Sequence, residues 1–153
     1  MVKPTSADPT PSRATAEVVL DTVPATMRAI RGHMRVGRAE GVSVPQFRAL
    51  LFVGRNPGTD LSSLAEHLGA SMPAVSELIS RLVRDGLVIR ELDPASRRRI
   101  RLTISADGER QFHAARGRTI DWLADRLSEA TPEQLERIAD GLRELRTVIG
   151  DDV

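Results

Sequence analysis

Apolar residues recur along most of this chain at steps of three and four, the spacing that gathers them on one face of a helix. Val19, Val23, Met27, Ile30 and Met34 form the first such stripe. Pro24, Gly32 and Gly37 weaken it, so a kink, or a late start near Thr22, is expected. Ser43 and Gln46 then stand at capping-box spacing, with Phe47, Leu50 and Leu51 following at helical intervals. The turn residues RNPGTD lead to Asp60, a good N-cap for a short helix over 61–68 that Gly69 ends. Ser71 and Pro73 open another helix, which runs to Asp85 and stops at Gly86. Strand signals appear only in LVIREL (87–92) and RIRLTI (99–104), with Pro94 in the connection between them. Ser105 can cap a long helix to about Glu129. TPEQ (131–134) starts the last helix, in which Leu135, Ile138, Leu142, Leu145 and Ile149 keep alternating steps of three and four. The first fourteen residues, with Pro4, Pro9 and Pro11 among small polar neighbours, read as a disordered tail.

One globular domain with helical extensions fits a chain of 153 residues. There is no cysteine, which excludes a disulfide scaffold, a thiolate metal site and thiol redox sensing. No apolar run is long enough to span a bilayer, and the chain does not open on a basic region followed by an apolar stretch. A cytoplasmic protein without membrane contact is therefore expected. The formal net charge of +1 says nothing about a partner, but its distribution does. Seven arginines face three acidic residues between Arg81 and Arg101, whereas nine acidic residues face four arginines from Asp121 to Val153.

The stretch LSSLAEHLGASMPAVSELISRL carries the most specific signal. Leu64 and Leu68 give its first helix a buried face, Ala65 is small enough for a second helix to cross closely, and Gly69 supplies the sharp turn. Val75, Leu78, Ile79 and Leu82 give the second helix its own apolar face. Two helices crossing steeply over a shared core make a helix-turn-helix. Ser71, Pro73, Ala74, Ser76, Glu77, Ser80 and Arg81 then point outward. They are mostly small, so the helix can sit deep in a major groove, with serine and arginine offering bonds to phosphates or base edges. An ordinary solvated helical hairpin could carry the same residues.

The hairpin that follows shifts the balance. Arg97, Arg98, Arg99 and Arg101 lie within five positions of one another. Alternation points Ile100, Leu102 and Ile104 into the core and Arg99, Arg101 and Thr103 outward, and leaves Arg97 and Arg98 in the loop. A loop kept charged for solubility usually mixes signs, and this run is unopposed. It reads as a wing whose arginines reach phosphates and the narrow minor groove of double-stranded DNA.

With these motifs in this order, ending in LTISADG and two further helices, the chain resembles the MarR family of winged-helix transcriptional regulators over nearly all of residues 20–150. The family's wing pattern of Asp, two residues, Asp, Arg, Arg is matched at Asp93, Arg97 and Arg98, with Ser96 in place of the second carboxylate. Serine supplies only a neutral hydrogen bond where the family has an anchor for the wing arginines. The fold class is then mainly α with a small β-hairpin wing, a winged helix-turn-helix with flanking dimerisation helices. The expected organisation is a tail (1–14), an N-terminal dimerisation helix (15–42), the DNA-binding lobe (43–105) and C-terminal dimerisation helices (106–150). A homodimer is what the resemblance implies. The stripe over 135–149 and a second one of Phe112, Thr119, Ile120, Leu123 and Leu127 support it independently, since one small lobe cannot cover both. The function that follows is a regulator, read as a repressor, on a pseudo-palindromic operator.

The resemblance also implies a small aromatic or phenolic effector in a crevice between the lobe and the dimerisation helices. Met27, Ile30, Met34, Phe47, Leu50 and Phe112 could line it, with His33 or Arg31 as polar partner, although the same set would serve as plain core. No catalytic residue and no cofactor is expected: a glycine-rich phosphate loop, a cysteine nucleophile and a nucleophile elbow are all missing. His33, His67 and His113 lie on separate elements without ligand spacing, so no metal site is assigned. Two alternatives stand beside this reading. One is a metal-responsive regulator built on His33 and His113; the other is a winged helix used only for protein contacts, which salt-dependent DNA binding would exclude.

Overall fold

Polar caps decide where most of the helices begin. The computed structural model describes residues 10–36, 41–93 and 96–150, with the backbone alone for 96–99. Its elements are α1 (Pro11–Val36), α2 (Val44–Arg55), α3 (Leu61–Leu68), α4 (Met72–Arg84), β1 (Val88–Asp93), β2 (Ser96–Ile104), α5 (Ala106–Leu127) and α6 (Pro132–Ile149). Reciprocal capping boxes start α2 at Ser43 and Gln46 and α6 at Thr131 and Gln134, as their spacing predicts. Asp60 and Ser105 accept the Ser63 and Gly108 amides at the heads of α3 and α5. Gly69 closes α3 in the left-handed conformation, at φ 61°, where a side chain would be strained. The fold class is therefore the expected one: mainly α, with one two-stranded hairpin.

Helix α1 departs from expectation. It starts at Pro11, so residues 11–14 are helical rather than part of a tail, and it passes Pro24 without ending. Thr10 provides the start: its carbonyl accepts the Ala14 amide at 3.0 Å and its hydroxyl the Arg13 amide at 3.4 Å. Pro11 loses nothing at the first helical position, where an N–H has no partner anyway. Helix α1 has no buried residue, so the carbonyl that Pro24 leaves unpaired stays open to water. Residues 1–9 of the expected tail, and Gly37, lie outside the described residues.

The core lies under the helix-turn-helix. Leu50 and Val53 of α2, Leu64 of α3, and Val75, Ile79 and Leu82 of α4 meet Leu87, Val88 and Leu102 of the hairpin. Each such side chain contributes about 1.5–3 kcal/mol through burial. Strands β1 and β2 pair antiparallel, with Val88 opposite Ile104 and Leu92 opposite Ile100. The α2–α3 turn joins their edge, because the Gly58 amide donates to Leu102 O and the Leu102 amide to Thr59 O.

The wing corrects a second expectation. Arg97 and Arg98 were placed in the loop, but their backbone belongs to β2. Asp93 pairs with Ser96 and Leu92 with Ile100, so three arginine positions on β2 are taken up by a bulge that β1 does not share. The apolar alternation sets the register only as far as Ile100, and beyond it the hairpin closes by its own pairing. Pro94 and the side chains of residues 94–99 lie outside the described residues.

At the base of the wing, Ser105 Oγ donates to Gly86 O at 2.6 Å while accepting the Gly108 amide at 3.0 Å. A Cβ on Gly108 would overlap the Leu87 carbonyl oxygen, so only glycine lets α5 leave the hairpin this closely. The contrast lies outside the lobe. Helices α1 and α6 bury none of their residues, and Leu20, Leu142 and Ile149 are 71%, 58% and 56% exposed.

Candidate nucleic-acid interface

Helix α4 is strongly amphipathic, and its two faces do different work. Val75, Ile79 and Leu82 fix it in the core, while Ser71, Pro73, Ala74, Glu77, Ser80 and Arg81 are exposed and Ser76 is half-buried. All seven outward positions expected from the sequence thus share one solvent-facing surface. Met72, half exposed in the first turn, stands one turn before Ser76 on the same ridge and was missed. Its i, i+4 spacing to Ser76 and Ser80 was the available signal.

Two contacts organise that surface. The Ser80 hydroxyl donates to Ser76 O at 2.8 Å and so is turned back onto its own helix. The Arg81 guanidinium donates to the Glu77 carboxylate one turn earlier. Ser71 sits at the N-cap but makes no side-chain capping bond, which leaves its hydroxyl available to a ligand.

Beside α4, the wing presents Arg101 on the outer face of β2. Its Nε lies 3.6 Å from Asp93 Oδ2, and its side chain passes within 4 Å of where a Cβ on Gly58 would stand. Asp93 is largely covered while Arg101 remains half exposed, so the carboxylate orients the arginine without hiding it. The backbone positions of Arg97, Arg98 and Arg99 lie further along the same strand. Arg84 at the end of α4 and Arg90 on β1 are exposed as well.

The eight residues expected to line an effector crevice do not form one cavity among the described residues. Leu50 and Phe112 line a space of about 300 Å³ between α2 and α5, together with Arg55, Glu109, His113 and Arg116. Phe47 stacks on Phe112 at 4.9 Å just beside it. His33 and Met34 border a separate, much smaller gap against Val42, Ala115, Arg118 and Thr119. Met27, Ile30 and Arg31 of α1 line neither space. Arg55 and Arg116 were missed because nothing in their spacing shows that α2 and α5 bring them together.

Each histidine meets an aromatic ring. His33 stacks on Trp122 at 4.7 Å, His67 stacks on Phe52 at 4.4 Å, and His113 meets Phe112 edge-on at 5.3 Å. Among the described residues no group of three histidine or carboxylate side chains is placed to hold a metal. None of the described helices is long and apolar enough to cross a membrane.

Comparison with known proteins places this surface in context. Residues 40–99, which hold the helix-turn-helix and most of the wing, match the family model described as MarR family. The transcriptional regulator HosA of Escherichia coli O111:H- is 32% identical over 71 residues, 46% of this chain and 53% of its own length. The chain thus spans about half the length of that relative. A MarR family protein of Bacillus stearothermophilus superposes with a TM-score of 0.75 at 21% identity, over 92% of this chain and 98% of that one. Streptococcus pneumoniae FabT, solved in complex with DNA, gives a TM-score of 0.63 at 15% identity over 90% and 96% of the two chains. At such identities the likeness to the two solved structures is one of fold.

Proposed function

Since residues 40–99 match the MarR family model and the fold is that of a winged helix, we propose that the chain is a member of that family and a sequence-specific transcriptional regulator acting on double-stranded DNA. In this reading two copies bind a pseudo-palindromic operator in the cytoplasm, act as a repressor, and are released by a small aromatic or phenolic anion. The observation that carries it is the outward face of α4. Its small side chains stand over a fully packed core beside an arginine-bearing wing, the shape and charge that a major groove and its flanking phosphates require. The DNA complex of its fold neighbour FabT and the regulator HosA point the same way.

Dimerisation is supported by the exposed apolar stripes. Leu135, Ile138, Leu142 and Ile149 of α6 and Ile120 and Leu127 of α5 are left open by the single chain. The space lined by Leu50, Phe112, Arg55 and Arg116 suits an aromatic anion, with an apolar floor and two arginines against the one carboxylate of Glu109. Footprinting on an operator fragment tests the reading. Two protected half-sites centred about one helical turn, roughly 34 Å, apart are expected. Protection of a single half-site by a monomer, or affinity that ignores salt, would count against it.

A further inference from the structure

The groove-facing surface of α4 carries a single carboxylate, that of Glu77, in a place where a polyanion would be expected to exclude it. DNA presents one negative charge per roughly 1.7 Å of its axis, so an acid on this surface weakens contact with every sequence alike. Glu77 is paired with Arg81, and both side chains are more than half exposed. A solvated pair of that kind adds too little stability to account for its position. In the central turns of the helix these two are the long exposed side chains, since Ser76 and Ser80 are short and the Ser80 hydroxyl is already engaged with Ser76 O.

The chemistry of the pair is selective. A guanidinium partly neutralised by its neighbour has less to gain from a phosphate at an arbitrary position. A base pair that offers both an acceptor edge and an amino group satisfies both partners together. Guanine presents O6 and N7 to arginine, and cytosine presents its N4 amino group to a carboxylate. Four helical residues rise about 6 Å, within two stacked base pairs at roughly 3.4 Å each. We infer that Glu77 is a specificity-determining residue. Its carboxylate accepts from the amino group of a cytosine in the major groove, while Arg81 engages a guanine in the same or the adjoining base pair. The carboxylate also lowers affinity for all other DNA. This rests on the DNA-binding reading above and says which side chains set the choice of site.

Selection of bound sequences from randomised duplex by the full chain, as wild type, Glu77→Gln, Glu77→Ala and Arg81→Ala, tests it. Titrations of the selected duplex against mixed-sequence DNA at several salt concentrations accompany the selection. In Glu77→Gln one position per half-site should turn from cytosine to adenine, because a glutamine amide matches the N6 and N7 edge of adenine. In Glu77→Ala the preference there should vanish. Mixed-sequence DNA should bind several-fold more tightly, and the ratio of specific to mixed-sequence affinity should fall roughly tenfold. Arg81→Ala should lose the guanine at the same or the neighbouring position. If both Glu77 variants select the wild-type half-site with an unchanged ratio, the pair is only a solvated helix contact and the inference fails. A wild type that selects no sequence at all would overturn the DNA-binding reading itself, a result visible before any variant is made.

Discussion

His67 occupies the last turn of α3, where its ring lies against Phe52 and its carbonyl accepts from the Arg48 guanidinium at 3.3 Å. Burial holds its pKa below the ordinary histidine value, and the positive charges of Arg48 and Arg55 push in the same direction. The folded state therefore takes up the proton less readily than the unfolded chain. Stability is complete above the unfolded value of about 6.5; it falls as pH drops through that value and levels off below the folded one. Urea unfolding between pH 7.5 and 5.5 should show the midpoint falling in the wild type and a shallower fall in His67→Gln. An identical pH dependence in the two proteins would assign the effect to other groups. The position of His67 on a short capped helix was plain in the sequence. Its ring partner was not, because Phe52 lies on another helix and only the crossing of α2 and α3 brings the two together.

The wing and α1 show where periodicity stops being informative. Caps were legible because a Ser–Gln, Thr–Gln or Asp signal needs only the three residues beside it, and α2, α3, α5 and α6 start where those signals stand. The bulge in β2 was not, since Ile100, Leu102 and Ile104 fix a register that says nothing about how Asp93 and Ser96 close the tip. In α1 the prolines outweighed Thr10, whose capping role shows only once Pro11 is known to be the first helical residue. Carrying Arg97 and Arg98 on strand backbone ties their reach to the hairpin instead of to a free loop. Replacing both by alanine should weaken binding similarly on all sequences and lower the salt slope by about two, one for each lost phosphate contact. Affinity unchanged at both low and high salt would remove the wing from the mechanism.

Taken as one chain, the protein is a packed lobe with two uncovered helices. The outward face of α4 could be read from the sequence because the helix's apolar face, held in the core, fixes which residues point out. The space between α2 and α5 could not, because the packing angle of these two helices leaves no trace in either stripe. Leu142 is more than half exposed and Ile138 nearly half, and neither belongs to the core cluster. If two copies pair through α6 as proposed, replacing both by aspartate should leave the helical signal of the protein intact while halving its mass in sedimentation and abolishing operator binding at concentrations where the wild type saturates. A double variant that stays dimeric would move the interface off α6.

Trp122, the chain's one tryptophan, gives this arrangement an optical handle. It sits on α5 with its ring stacked on His33 of α1 at 4.7 Å and the Arg126 guanidinium 4.8 Å from its centre. Its emission therefore reports how closely α1 lies against α5, with no background from the winged-helix lobe and no added dye. Loosening of α1 can then be followed by fluorescence while backbone dichroism follows the helices of the whole chain. Any molecule that moves α1 against α5 will declare itself as a change in the colour or lifetime of that emission.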